Sequence, residues 1–380
     1  MSTLDTRIAF SDEQAMLLDA ATAFCREQSP TSAVRARMLT DTGFDPHVWR
    51  SMVDMGWLGI AVPERFGGSG LTLADSAVIA ETTGRHLLAT PFAGTQIVIQ
   101  ALLAGGSEAQ QASWLPRLAQ GVVACVALFE DDGHWDLARI GCRAEPVGGR
   151  LRLRGDKVFV TDAAVAGLLL VSVTVEGSPA LILLDRSSVP AVSLSRETII
   201  DETRRSYRLR LNDIEVDASA AITGSAAAAA LRAIRDAALL LASAEAAGGT
   251  AGVLAIVVDY LNTRSAFGRK IGSYQALKHA CVDILVGLER ARSQVWHAAT
   301  RIAGGADAEV ALRMAKAEAG DTFAFAGDRA VQFHGGFGFT WDCDAQLHLR
   351  RALWLQPWFG DGAYQRRMLA ALLLATDGAS

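Results

Sequence analysis

Cysteine is scarce: the 380 residues hold five, Cys25, Cys125, Cys142, Cys281 and Cys343. They are odd in number, far apart and form no CxxC, which excludes a disulfide framework and a zinc cage and leaves buried thiols of a reducing cytosol. The seven histidines show no ligand spacing, so no metal site is expected. No Ser/His/Asp order supports hydrolysis. There is no basic excess either: 36 Lys and Arg stand against 41 Asp and Glu, for a net charge of −5, so nothing draws the chain to phosphate backbones and nucleic acid is not an expected partner. The opening MSTLDTRIAFSDEQ lacks the apolar core of a secretory signal. The most apolar stretch, Ala246 to Val258, is bounded by Glu245 and Asp259 and falls short of the ~20 residues that cross a bilayer, so a buried helix, no membrane and a cytoplasmic location are expected. With 20% charged against 51% hydrophobic residues, disorder is excluded as the main state, and at roughly 100–200 residues per domain the length suggests two or three domains.

Three textures follow one another. Ser11-Asp-Glu-Gln14 has capping-box form, and apolar residues then recur at helical spacing through Met16, Leu17, Ala20, Ala21 and Phe24. The Gly/Pro-rich GWLGIAVPERFGGSGL interrupts from Gly56 to Leu71, and helical spacing resumes at Ala74 to Thr83 and from Gln96 to Leu103. From Gly121 the chain turns to short β-branched or alternating runs, of which Tyr207-Arg-Leu-Arg-Leu211 is the clearest, and these suit a small barrel or sandwich. After Asp217 come long helices: Tyr274, Leu277, Cys281, Ile284, Leu285, Leu288, Ala291 and Val295 trace one apolar stripe. Val310, Met314, Ala317, Ala324 and Val331 trace another, and Gly304-Gly305 breaks between them. The expected domains are helical over 1–120, β over 121–218 and a helical bundle over 219–380, with no internal repeat.

Single glycine clusters say little. The glycines of Val331-Gln-Phe-His-Gly-Gly-Phe-Gly-Phe-Thr340 either open the backbone to a phosphate or cap a helix. Arg264-Ser-Ala-Phe-Gly-Arg-Lys270 either meets a diphosphate or offsets a helix dipole. Their order carries more. WLGIAVPERFGGSGL, KVFVTDA, RSAFGRKIGSYQALKH, QFHGGFGFTWD and WFGDGAYQRR together resemble the acyl-CoA dehydrogenase family over nearly the whole chain. That resemblance implies a multidomain α+β fold: an N-terminal helical domain, a central β-barrel and a C-terminal four-helix bundle. It implies FAD between barrel and bundle, with its ADP half held by the neighbouring subunit of a dimer. Arg264 and Phe267 match residues on the diphosphate and adenine side, Gln275 the glutamine that follows, and Gln332, Gly335 and Gly336 the QxxGG segment. Thr161 matches a flavin-contacting threonine, and Phe159 replaces a tryptophan that flanks the ring. An acyl-CoA substrate and an electron-transfer flavoprotein as acceptor come with the family.

Two departures stand out. Phe129-Glu-Asp-Asp-Gly-His-Trp-Asp136 replaces a Thr-Glu-Pro-Gly-x-Gly-Ser-Asp segment of the family. The reaction removes a proton from Cα while hydride leaves Cβ for flavin N5, which needs a carboxylate against Cα. The family's Tyr-Glu-Gly triplet is Gly360-Asp361-Gly362 here, making Asp361 one candidate base. Glu245 is the second, three residues past Ala242, where other members place the base. The purely structural readings are Asp361 as a helix N-cap and Glu245 paired with an arginine such as Arg232 or Arg235. Either a self-sufficient homo-oligomer or one subunit of a heteromer with a paralogous chain, of the bacterial steroid or sterol side-chain type, is implied. The alternatives are a non-catalytic FAD-holding or structural homologue, and a flavin oxidase or monooxygenase on the same fold.

Overall fold

The computed structural model describes residues 11–212 and 214–376; the N-terminal stretch read above for a signal lies outside them up to Phe10. The first helices are α1 (Asp12–Gln28), α2 (Thr31–Met38), α3 (Pro46–Asp54), α4 (Leu73–Arg85), α5 (Phe92–Gly105) and α6 (Glu108–Ala119). The Ser11 capping box is made in full, Ser11 accepting from the Gln14 N–H while Gln14 accepts from the Ser11 N–H. Ser107 and Gln110 repeat the device at α6. Each satisfies two of the donors a helix start leaves orphaned.

The strands are β1 (Ala124–Ala127), β2 (Arg143–Val147), β3 (Arg150–Arg154), β4 (Asp156–Thr161), β5 (Leu168–Val175), β6 (Ser178–Asp185), β7 (Leu194–Glu197), β8 (Ser206–Arg210), β9 (Glu215–Asp217) and β10 (Ala221–Ile222). The helices α7 (Gly224–Thr263), α8 (Gln275–Ala303), α9 (Glu309–His334), α10 (Ala345–Leu355) and α11 (Gly362–Thr376) follow, and the hairpin β11 (Ser265–Ala266) to β12 (Arg269–Lys270) joins α7 to α8. The expected architecture is present: a helical N-terminal region, a curled β middle and a helical C-terminal region.

The chain packs as two compact units. The first gathers the described residues of Met1–Ala33, Ala77–Leu88 and Leu239–Ser380; the second holds Val34–Ser76 and Ala89–Ala238. In the second unit the strands run in the order β10-β6-β5-β2-β3-β9, with β1 also beside β5. β6 pairs along the whole of β5, while β1 and β2 lie parallel to it. Leu168–Val173 is buried throughout, which is why β5 reads as a continuous apolar run rather than an alternating one. β4, β8 and β7 form a second sheet, where β8 alternates as expected, with Tyr207 and Leu209 buried and Arg210 exposed. Arg205, buried, donates to the carbonyls of Met38 and Thr40 at 2.9 and 2.6 Å, closing the end of α2 that α2's own amides cannot.

In the first unit α9 lies against α8, α10 and α11. α4 and α7 touch backbone to backbone: a Cβ on Gly248 would fall 1.7 Å from the Glu81 carbonyl oxygen, and one on Gly84 would fall 2.0 Å from that of Glu245. Two sequence expectations change here. Val310 and Met314, at the head of the predicted stripe, are exposed although Ala317 of the same stripe is buried; α9 also buries Leu312, Arg313, Ala315 and Lys316, because a helix covered on several sides has no single apolar stripe. α7 runs well past the predicted apolar stretch, because one glutamate does not end a helix whose neighbours are alanines. By length and composition it is long and apolar enough to cross a membrane, and 78% of its most apolar window is buried inside the fold.

Candidate active site

At the C-terminal end of α7 the chain turns into the hairpin carrying RSAFGRK. Lys270 Nζ donates to the Thr263 carbonyl at 2.6 Å, closing the helix end, and the Arg269 guanidinium lies 4.0 Å from the Tyr274 ring centroid. Those two cations are engaged locally. Arg264 is exposed, with no side-chain hydrogen bond or ion pair among the described residues. Phe267 has φ +54° and is 95% exposed, a backbone state that a bulky side chain rarely adopts. Gln275 opens α8 and is exposed.

The other glycine segment is brought to the same end of α7. The His334 ring stacks on that of Tyr260, centroids 4.0 Å apart, and Tyr260 precedes Arg264 by one turn, its carbonyl accepting the Arg264 N–H at 2.9 Å. Gly335 caps α9 by donating to Gln332, so the capping reading is realised. A Cβ on Gly335 or Gly336 would meet nothing within 4 Å, so the backbone there is open as well. Gln332, Phe337, Phe339 and Trp341 are exposed around it.

In the β unit, a shift in the β4–β8 register between Lys157 and Val160 turns Phe159 out. It has φ +54°, is 45% exposed, and donates its N–H to Glu197 Oε2 at 3.0 Å. Thr161 is buried and pairs in register with Ser206. The departing segment is tied down. Glu130 Oε1 lies 2.6 Å from the buried Lys157 Nζ and accepts from the Cys142 N–H. Burial alone would raise the Glu130 carboxyl; Lys157 and the Cys142 donor outweigh it and hold it below the usual glutamate range. Asp131 is bound by Arg208.

The two candidate bases sit differently. Glu245 is 4% exposed and pairs with an arginine, as the structural reading had it, but the partner is Arg351, whose Nη1 lies at 2.6 Å; Arg235 bonds Asp236. Asp361 is half-buried, and its Oδ1 accepts the Tyr364 N–H at 2.8 Å, so it is the N-cap of α11. The turn before it is strained at Phe359, which has φ +58°, while Gly360, at φ +97°, takes a backbone state open to glycine. Lys316, missed by sequence reasoning, lies beneath this turn. Its Nζ donates to the carbonyls of Leu355, Gln356 and Gly360 at 3.1, 2.8 and 3.1 Å. Burial pushes its ammonium down to about 7, against the pull of Asp321 and Asp361. The signal was a lysine among Ala315, Ala317 and Ala319, where a charge needs a buried partner.

Two family models match the chain: the acyl-CoA dehydrogenase N-terminal domain over residues 11–122 and the acyl-CoA dehydrogenase C-terminal domain over 218–374. Acyl-CoA dehydrogenase IpdE2 of Mycobacterium tuberculosis is 30% identical over 90% of this chain and 91% of its own. A steroid acyl-CoA dehydrogenase, the Tcur3481-Tcur3483 G363A variant, superposes with a TM-score of 0.86 at 28% identity, over 97% of this chain and 99% of that one. The ChsE4-ChsE5 complex of M. tuberculosis reaches a TM-score of 0.89 at 23% identity, over 97% of this chain and 99% of that one, a likeness of fold alone. The chain belongs to the acyl-CoA dehydrogenase family. Its reaction is acyl-CoA dehydrogenation, an oxidation at a CH–CH donor, and the family is FAD-dependent in general.

Proposed function

We propose that the chain carries out FAD-dependent α,β-dehydrogenation of an acyl-CoA thioester as one subunit of a cytoplasmic oligomer, with Asp361 as the base. The residues fit the cofactor. An exposed, unengaged Arg264 offers a fork to a diphosphate, Gly335 and Gly336 leave room for close backbone approach, and Phe267 and Gln332 flank them. Gln275 completes that set, and Thr161 and Phe159 would serve the ring. When bound, FAD supplies the hydride acceptor. Asp361 then takes the α-proton through Oδ2, since Oδ1 is held by the cap.

The observation that carries this reading is the contrast between the two carboxylates. Glu245 is shut in a buried ion pair, whereas Asp361 sits on a strained turn, and strain of this kind clusters at functional sites. Replacing Asp361 with Asn in the flavin-loaded enzyme is expected to lower kcat by at least about a thousandfold with flavin content unchanged; activity retained in that variant would sink the assignment.

A second reading concerns the partner. Glu130 and Asp131, in the segment that departs from the family pattern, are engaged by Lys157 and Arg208, while the Arg264 face is open. A chain that offers a cofactor face outward while its own β segment is altered suits pairing with a paralogous acyl-CoA dehydrogenase chain of the steroid type, with an electron-transfer flavoprotein as acceptor. Flavin absorbance and native mass test it. One flavin per chain when expressed alone supports the homo-oligomer; colourless protein that turns yellow on co-expression with the paralogue supports the heteromer.

A further inference from the structure

Asp361 can serve as a base only if its carboxylate is held still, and the turn before it does not relax into an ordinary conformation. Phe359 is a bulky residue at φ +58°, and Gly360 at φ +97° is crowded: a Cβ there would come within 2.4 Å of the Tyr364 ring. Glycine adopts its positive φ freely, but a bulky residue in the left-handed region, as Phe359 is, costs of order 1–3 kcal/mol and persists only when neighbours over-determine it.

Two side chains do so, from separate helices. Gln365 on α11 donates Nε2 to the Phe359 carbonyl at 2.7 Å and to the Gly360 carbonyl at 3.3 Å. Its Oε1 accepts from Arg313 Nη1 at 2.9 Å, and Arg313 is in turn held by Glu309. That arginine fixes which way the amide points, so the donor end must face the turn. Lys316 on α9 donates to the Gly360 carbonyl from the opposite helix, while its other protons close the end of α10. Gln365 and Lys316 are fully buried or nearly so, so water does not compete for these bonds.

We infer that Gln365, oriented by Arg313, and Lys316 are the positioning residues of the reaction: their donors pin the Phe359 and Gly360 carbonyls and thereby fix the Asp361 carboxylate against the substrate α-carbon. This rests on the reading of Asp361 as the base. Misplacement of a reacting group by ~1 Å costs on the order of a hundredfold in rate, so loss of the pin acts on the chemical step and not on thioester binding.

The discriminating variant is Gln365→Glu. It keeps the volume and the bond to Arg313, now as an ion pair, and turns a second oxygen instead of an N–H donor toward the two carbonyls. In the flavin-loaded assembly, kcat for acyl-CoA is expected to fall ~10–100-fold with KM and flavin content within about twofold of the parent. Exchange of the substrate α-hydrogens in D2O, followed by NMR, reports the base alone and is expected to slow by the same factor. Should Gln365→Glu not accumulate as folded protein, Arg313→Gln, which releases the amide without touching the turn, carries the same expectation at smaller size. Parental kcat and α-exchange in Gln365→Glu, with Asp361→Asn inactive, overturn the inference while leaving the base assignment standing. Full activity in Asp361→Asn overturns the base assignment itself.

Discussion

Arg351 Nη1 stands 2.6 Å from Glu245 Oε1, with both side chains buried and the two residues 106 positions apart in the sequence. The pair joins α10 to the middle of α7, at the residue whose carbonyl oxygen a Cβ on Gly84 would strike. An acid in the run of small residues around Ala244 and Ala246 is therefore a structural anchor. Breaking a buried pair from one side leaves a charge with no counterpart, which costs about 3–5 kcal/mol. Arg351→Met is thus expected to lower the unfolding free energy by that amount in urea titrations, and Arg351→Met with Glu245→Gln to recover part of it. A single variant as stable as the parent would remove the anchor role.

Arg264 makes the opposite prediction. It is exposed and engages no side chain among the described residues, so Arg264→Ala leaves the melting temperature of flavin-free protein in place. A charge-assisted fork to a diphosphate is worth ~1.5–3 kcal/mol, and its loss is expected to weaken flavin retention ~10–100-fold. Gly336→Ala tests the backbone half of the cradle: its Cβ would meet nothing within 4 Å, so folding is unaffected while flavin affinity falls. Equilibrium dialysis against FAD, beside a thermal melt, separates the two effects.

How far the sequence revealed this arrangement depends on how local each feature is. The Ser11 capping box, the alternation of Tyr207 and Leu209, and the break at Gly304-Gly305 are set by neighbours a few residues away, and each is readable. Glu245 with Arg351, or Lys316 with the Gly360 carbonyl, joins residues distant in sequence, and periodicity carries no trace of such pairs. The strain at Phe359 is equally silent, since nothing in Trp-Phe-Gly-Asp requires a phenylalanine at positive φ. The outward face of α9 misled for a related reason: Val310 and Met314 are apolar, yet the helix is covered on other sides.

Glu130 links pH to the stability of the β unit. Its carboxyl is held below the ordinary 4.5 once Lys157 and the Cys142 donor have overcome burial, so the folded state binds its proton less readily than the unfolded chain. That contribution is fully present above the unfolded value and is lost as pH falls from about 4.5 through the folded value. The melting temperature should drop on acidification below that point, and Glu130→Gln should flatten the drop while lowering stability near neutrality. An equally steep acid limb in Glu130→Gln would place the linkage elsewhere.

The contact of α4 with α7 gives the least forgiving substitution. A Cβ at Gly248 would lie 1.7 Å from the Glu81 carbonyl oxygen and 3.0 Å from the Arg85 amide nitrogen. Both are backbone atoms inside α4, so no side chain can swing aside and the helices must part. Overpacking of a core typically costs 1–3 kcal/mol, and forcing two backbones apart stands at or above the top of that range. Gly248→Ala is therefore expected to lose at least about 3 kcal/mol, although alanine is the better helix former by ~1 kcal/mol. Gly336→Ala, with open space at its Cβ, is the matched control in the same melt. If both alanine variants melt together, the two helices are not in backbone contact and the close approach of α4 to α7 is wrong.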